Sequence, residues 1–218
     1  MEIIVVDDGS TDATAAAAQE ALSSASRTAE LSILRAAHRG KGSAVALGLG
    51  EARGAIHVVM DADLSVPLQY LDELVSALQS GADIAIGSRE LPGAQRLGEP
   101  AYRHLMGRTF NRIVTLAGVR GVPDTQCGFK ALRSESTEII LPRLRLYPAA
   151  ATAVRASRVT AYDVELLAIA QHHALRIDQI PVTWRYVPES KVRPVRDAAV
   201  MLWDIVRLRW HVAPGHYQ

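Results

Sequence analysis

Residues 2–12 read Glu2-Ile3-Ile4-Val5-Val6-Asp7-Asp8-Gly9-Ser10-Thr11-Asp12. Four Ile and Val side chains in succession make an apolar strand, and it ends at the paired acids. Ser10 or Thr11 is a good N-cap for the alanine-rich helix expected over 13–24. The same punctuation recurs down the chain. Strands are expected over 31–34, 55–60 and 83–87, and helices near 43–52 and 67–79, with Pro67 at a first helical position. Fully apolar strands alternating with helices imply an α/β fold, its mostly parallel central sheet covered by helices on both faces. Such sheets bind ligands at the carboxyl ends of their strands. Three of those ends carry Asp7 with Asp8, Asp61 with Asp63, and Arg89, so the site is expected there.

Beyond residue 90 the pattern is less regular. Residues 91–100 read as a loop, with Pro92, Gly93, Gly98 and Pro100. Residues 102–117 read as an amphipathic helix. Leu105, Met106, Phe110, Ile113, Val114 and Ala117 share one face; His104, Arg108, Asn111 and Arg112 share the other. A helix over 163–173, a strand over 180–187 and an amphipathic helix over 194–210 complete the pattern. No repeat or linker divides the 218 residues, so one domain over 1–218 is expected.

Apolar residues make up 49% and charged residues 22%, an ordinary globular composition. The net charge of +1 gives no bulk attraction to nucleic acid, and none is expected as a partner. The single cysteine, Cys127, excludes a disulfide framework and a cysteine zinc cluster, and fits a reducing compartment. With Asp7 and Asp8 in the first strand, no secretory signal is expected. No apolar run reaches the roughly 18 residues of a membrane span, so a membrane would be met at its surface.

Asp61-Ala62-Asp63 follows an apolar strand. Extended geometry there would turn both carboxylates to the same side, with Ala62 facing away. Paired carboxylates offer hard oxygen ligands suited to Mg²⁺ or Mn²⁺. A divalent ion so held stabilises a departing diphosphate without a proton donor.

Several motifs together resemble one family. Val5-Val6-Asp7-Asp8-Gly9-Ser10-Thr11-Asp12 is similar to the VVDDGSTD signature of family 2 glycosyltransferases. His38-Arg39-Gly40-Lys41-Gly42 resembles their NxGKG segment, Asp61-Ala62-Asp63 their DxD, and Gly87-Ser88-Arg89 their GSR. Asp124-Thr125-Gln126-Cys127-Gly128-Phe129-Lys130, Tyr162-Asp163-Val164-Glu165-Leu166-Leu167 and Ser190-Lys191-Val192 resemble the dolichyl-phosphate hexose synthases, the glucosyl branch more than the mannosyl. The resemblance runs from Glu2 to about Trp210 and implies a GT-A fold.

It also implies roles. One of Asp7 and Asp8, beside Gly9, would touch the base or ribose of a nucleotide sugar (UDP-glucose or GDP-mannose), with Lys41 also on the donor. Asp61 and Asp63 would hold the metal and diphosphate. Arg89 would face the donor or acceptor phosphate, and Asp124 and Gln126 would line the sugar and acceptor side. Lys191 and the helix arginines Arg103 and Arg108 would meet the phosphate of a polyprenyl or dolichyl acceptor. The implied reaction is inverting hexose transfer at the cytoplasmic face of a membrane, the protein lying peripherally on it.

The chain departs from the family in three places. The strand that precedes the signature there, with a PAYNE-like segment for the base, has no counterpart ahead of Met1-Glu2. Leu64-Ser65 follow the second aspartate where some mannosyl relatives have Gln, and Pro188 stands where Gly is common. The first departure predicts an open edge on strand 2–6, low solubility and little transfer. Two other readings compete: a relative without activity that binds sugar nucleotide or a partner subunit, and a phospho-acceptor receiver domain, which would be about half as long. His38-Arg39-Gly40-Lys41-Gly42 is not a phosphate-binding Walker loop, because Gly42 follows Lys41 in place of Ser or Thr.

Overall fold

The computed structural model describes residues 1–24, 29–149, 161–187 and 194–212. In chain order these form β1 (Glu2–Asp7), α1 (Thr14–Ser24), β2 (Glu30–Arg35), α2 (Lys41–Glu51), β3 (Ile56–Val59), α3 (Leu71–Gln79), β4 (Ile84–Ser88), β5 (Gln95–Leu97) and α4 (Ala101–Leu116). There follow β6 (Lys130–Arg133), α5 (Ser134–Ile140), α6 (Tyr162–His172), β7 (Ile177–Pro181), β8 (Thr183–Arg185) and α7 (Pro194–Val212). The α/β alternation read from the apolar runs is present.

The central sheet has the order β3-β6-β4-β7. β4 and β7 are parallel, and β6 runs antiparallel to both β3 and β4. Three strands therefore share one direction, and β6 is the reversed strand inserted between them. β1 and β2 form a separate parallel pair in register from Glu2 with Glu30 to Asp7 with Arg35, and β5 pairs in parallel with β8.

β4 shows how the sheet is covered. All five of its residues are buried. Ile84 and Ile86 enter a core with Phe110 and Val114 of α4, Val164 and Leu167 of α6, and Ile205 and Leu208 of α7. Ala85 points the other way, into a core with Leu74 and Leu78 of α3, Phe129 and Ile180. Period-two alternation thus supplies two cores from one strand.

Five local features differ from expectation. β5 lies within the segment read as a loop, and β6 was not expected at all. The strand read over 180–187 is two strands, because Val182 leaves β7 to bridge Ser88 and Gln95: its amide donates to the Ser88 carbonyl at 3.1 Å, and its own carbonyl accepts from Gln95 at 3.1 Å. On α4, Phe110 and Val114 are buried as expected, but Leu105 is 67% exposed and Met106 is exposed too. Asn111, assigned to the outer face, is half-buried because its carbonyl Oδ1 accepts from the Thr125 hydroxyl at 2.8 Å. Lastly, strand 2–6 is only partly buried, although α1 and α2 both pack against it. Among residues 2–6 of β1 none is buried, and Ile3 is exposed.

Candidate functional site

The site is built where β1, β3 and β4 end. Asp7 is buried and turned into its own turn: Oδ1 accepts the Ser10 amide at 2.9 Å, and Arg35 stands 3.7 Å from Oδ2. Donation from Ser10 holds its carboxyl below the ordinary aspartate value. Asp8 organises the next loop. Its Oδ1 accepts the Arg39 amide at 2.7 Å, while Oδ2 accepts the Gly40 amide at 2.9 Å and meets His38 Nδ1 at 2.7 Å. Gly9 permits this crossing. Its φ is 75°, and a Cβ would stand 2.7 Å from the His38 amide nitrogen. Asp8 thereby fixes the entry to α2, whose first residue is Lys41.

Lys41 Nζ meets Asp61 Oδ1 at 2.5 Å and lies 5.8 Å from the centre of the Tyr162 ring. Burial alone would lower the lysine's pKa; the Asp163 and Asp61 carboxylates outweigh it, and the net shift is upward. Asp61 and Asp63 do not sit on an extended strand, which corrects the period-two expectation. β3 ends at Val59, and a turn follows in which the Leu64 amide donates to the Asp61 carbonyl at 3.1 Å. Asp63 stabilises that turn by accepting the Ser65 amide at 3.0 Å and hydroxyl at 2.6 Å on Oδ1. Among the described residues no cluster of three or more acidic, His or Cys side chains assembles here. The Asp61 carboxylate still suits a hard cation, since it already meets one, the Lys41 ammonium.

A shallow hollow opens beside Asp61, walled by Met60, Leu64, Gly128, Phe129 and Trp184. Behind the Trp184 wall, Arg89 stacks 5.2 Å over the Trp184 ring. Arg89 donates to both oxygens of Asp124, from Nε at 2.7 Å and Nη2 at 2.8 Å, and its amide adds a third bond at 2.8 Å. Burial would raise the Asp124 pKa; Arg89 more than offsets this and holds it below the ordinary value, while the guanidinium itself is pushed up. Arg89 keeps some exposed surface, whereas Asp124 has none and is bound to it. Gln126 is half-buried on the same segment. The Cys127 thiol is buried and its pKa raised by that burial, as suits a packing residue.

The acceptor-side expectations divide. Arg103 stacks 5.1 Å over Tyr186, Arg108 is exposed on α4, and Lys191 lies outside the described residues.

Three positions were underestimated from sequence. Asp163 and Glu165, which at a helix start could equally be solvated, are both buried. Asp163 pairs with buried Lys130, which also donates to the Cys127 carbonyl and stands 6.0 Å from the Tyr162 ring. Glu165 accepts the amides of Arg145, Leu146 and Tyr147 at 2.7, 2.9 and 3.2 Å. Two acids inside the apolar run 162–170 were the available signal.

Glycosyl transferase family 2 matches residues 1–140. The chain belongs to that family.

As a family 2 glycosyltransferase it is 30% identical to a dolichyl-phosphate beta-glucosyltransferase of Trichomonas vaginalis, over 98% of this chain and 61% of that protein. It is likewise 30% identical to the human dolichyl-phosphate beta-glucosyltransferase, over 100% of this chain and 66% of that protein. A dolichol-phosphate mannosyltransferase of Pyrococcus furiosus is 40% identical over 63% of this chain and 39% of its own length. The chain thus spans less than two thirds of these relatives. Glucosyl-3-phosphoglycerate synthase of Mycobacterium tuberculosis has the same GT-A fold, with a TM-score of 0.61 at 21% identity over 98% of this chain and 68% of that one.

Proposed function

We propose that this family 2 glycosyltransferase transfers a hexose, glucose in preference to mannose, from a nucleotide diphosphate sugar to a polyprenyl or dolichyl phosphate. The observation that carries the proposal is the similarity to dolichyl-phosphate beta-glucosyltransferases over nearly the whole chain; this chain's own Lys41–Asp61 and Arg89–Asp124 pairs supply charged groups suited to that chemistry. An acceptor phosphate oxygen attacks the anomeric carbon, the bond from that carbon to the diphosphate oxygen breaks, and the diphosphate leaves with the electron pair, inverting the centre. A phosphate is already ionised at neutral pH, so the protein's task is positioning and charge stabilisation more than proton removal.

Asp61 and Asp63 would hold the divalent ion, Mg²⁺ or Mn²⁺, with remaining ligands from the donor and water. Bound there, it supplies Lewis-acid stabilisation of the leaving diphosphate. The mycobacterial synthase of the same fold was crystallised with Mn²⁺ and UDP-glucose, which supports a metal-bound donor. Asp8 and Lys41 line the donor side. Arg89, stacked on Trp184 of the hollow's wall, would face the sugar and acceptor phosphate; Asp124 holds Arg89 in place, and Gln126 lies on the same segment as Asp124.

The lipid side is supported by two helices. α4 exposes Tyr102, Leu105 and Leu116 near Arg108 and Arg112, and α7 exposes Trp203, Val206 and Trp210. Arg209 of α7 donates to the Leu116 carbonyl at 3.1 Å and joins the two surfaces. Mixed aromatic, apolar and basic residues suit an anionic bilayer surface, where Arg103, Arg108 and Lys191 would meet the acceptor phosphate. No helix among the described residues is long and apolar enough to cross a membrane. We place the protein peripherally on the cytoplasmic face, in keeping with its free Cys127.

The test is transfer of labelled hexose from UDP-glucose and GDP-mannose to polyprenyl phosphate in anionic vesicles, with Mn²⁺ or Mg²⁺. An acid-labile glucosyl lipid lost in Asp61→Asn is the expected outcome. No lipid-linked sugar from either donor with either metal overturns the proposal.

A further inference from the structure

Two lysines share the Tyr162 ring, and their circumstances differ. Lys130 is buried, pairs with the buried carboxylate of Asp163 and donates to the Cys127 carbonyl. It stands 6.0 Å from the ring centre and is held on every side. Lys41 stands at 5.8 Å from the same centre, but its side chain is 44% exposed; it makes a direct ion pair with Asp61, and the Asp163 carboxylate also acts on its charge. One ammonium is part of the core, and the other is free to move on a flexible four-carbon stem.

Asp61 cannot follow it. The turn through Leu64 holds its backbone, and its carboxylate is wedged against the main chain of Gly128. A Cβ at residue 128 would stand 2.1 Å from Asp61 Oδ2 and 2.4 Å from its Cγ, so only glycine leaves room for the acid in this position. The carboxylate is a fixed seat for a cation, and Lys41 is the cation seated there.

We infer that Lys41 is a resident counter-ion of Asp61 that yields this carboxylate to a divalent ion and swings along the Tyr162 ring to pair with the donor diphosphate. The inference rests on the reading that Asp61 holds such an ion. Lys41 and a divalent ion compete for one carboxylate, so Lys41 weakens binding of the metal by itself. Once a diphosphate is present, the displaced ammonium gains two or more phosphate charges in exchange for one carboxylate. Lys41 therefore opposes the metal alone and favours the metal with its nucleotide, which makes the two bind as a unit. The Tyr162 face keeps the ammonium in reach during the exchange.

The test compares wild type, Lys41→Met, Lys41→Gln and Asp61→Asn by calorimetry, titrating first Mn²⁺ alone and then UDP at saturating Mn²⁺. Both Lys41 variants should bind Mn²⁺ alone more tightly than wild type, by roughly fivefold for loss of one partly exposed competing charge. The same variants should bind UDP in Mn²⁺ more weakly, by about tenfold. A lysine that merely supported the fold would move both affinities the same way. Unchanged or weaker Mn²⁺ binding in folded Lys41→Met and Lys41→Gln, with Mn²⁺-dependent UDP binding intact in wild type, overturns the inference but leaves the metal reading standing. Mn²⁺-dependent UDP binding that survives Asp61→Asn, or UDP binding indifferent to Mn²⁺ in wild type, overturns the metal reading and the inference with it.

Discussion

The β1–β2 pair and the β3-β6-β4-β7 sheet are made from similar sequence and end in different environments. Ile3-Ile4-Val5-Val6 is at least as apolar as Ile84-Ala85-Ile86, yet every β4 residue is buried and Asp7 is the only buried residue of β1. The cause is neighbours. β4 has a hydrogen-bonded strand on each side and a core on each face. β1 has β2 on one side only, and among the described residues its other edge, like that of β3, bears no ladder. Side chains connect them instead: Glu2 accepts the Arg53 and Gly54 amides at 2.6 and 3.1 Å in the turn leading to β3. An apolar run declares a strand, but how deeply the strand is buried depends on what pairs with it.

The largest expected difference between the two regions concerns their ion pairs. Lys130→Met on β6 strands the buried Asp163 carboxylate and should cost about 3–5 kcal/mol, read from urea unfolding. Arg53→Ala removes the exposed links to Glu2 and Glu30 that tie β1 and β2 to the turn before β3. It should leave the unfolding midpoint nearly unchanged. Equal costs would mean the β1–β2 pair is as fully integrated as the sheet.

A smaller contrast tests packing alone. Ile86→Ala empties a fully buried position between α4, α6 and α7 and should cost about 2–5 kcal/mol. Val5→Ala on half-buried β1 should cost about 1 kcal/mol or less. Thermal unfolding of both variants checks the ratio, and a Val5→Ala cost matching that of Ile86→Ala would place β1 in a core.

The same contrast explains what could be read from sequence. β1, α2, β3, α3, β4 and α6 lie within a few residues of their expected bounds, because local periodicity and capping residues specify them. β6 escaped because only Ala131 and Leu132 are apolar in it, and it opens on the charged Lys130. Its charge is neutralised by Asp163, thirty-three residues on, and no local window contains that partner. For Asp163 and Glu165 the converse holds: a helix start leaves open whether they are solvated, and only Lys130 and the amides of 145–147 satisfy them inside the protein. The Asp61-Ala62-Asp63 motif was legible as chemistry but not as geometry, since the Asx turn closed by Ser65 replaces the extended strand. The face of α4 was misjudged where Thr125, remote in sequence, draws Asn111 inward.

The smallest expected effect on stability carries the largest on behaviour. Ile3 is 41% exposed on β1, and Val58 of β3 is 39% exposed. Among the described residues no strand pairs with this edge of β1, and an apolar edge left open templates pairing with another chain. Lysine at such an edge adds charge without disturbing a core, so Ile3→Lys should change unfolding stability by only about 0.5 kcal/mol. It should nevertheless reduce concentration-dependent association, measured by light scattering across a dilution series. Fusing a short β-forming segment ahead of Met1 gives the complementary experiment. If the segment pairs with β1, the amides on that edge gain hydrogen-exchange protection and association falls as it does in Ile3→Lys. Unchanged association in both proteins would mean that the β1 edge is already covered, and the contrast between the two regions would then be one of depth and not of pairing.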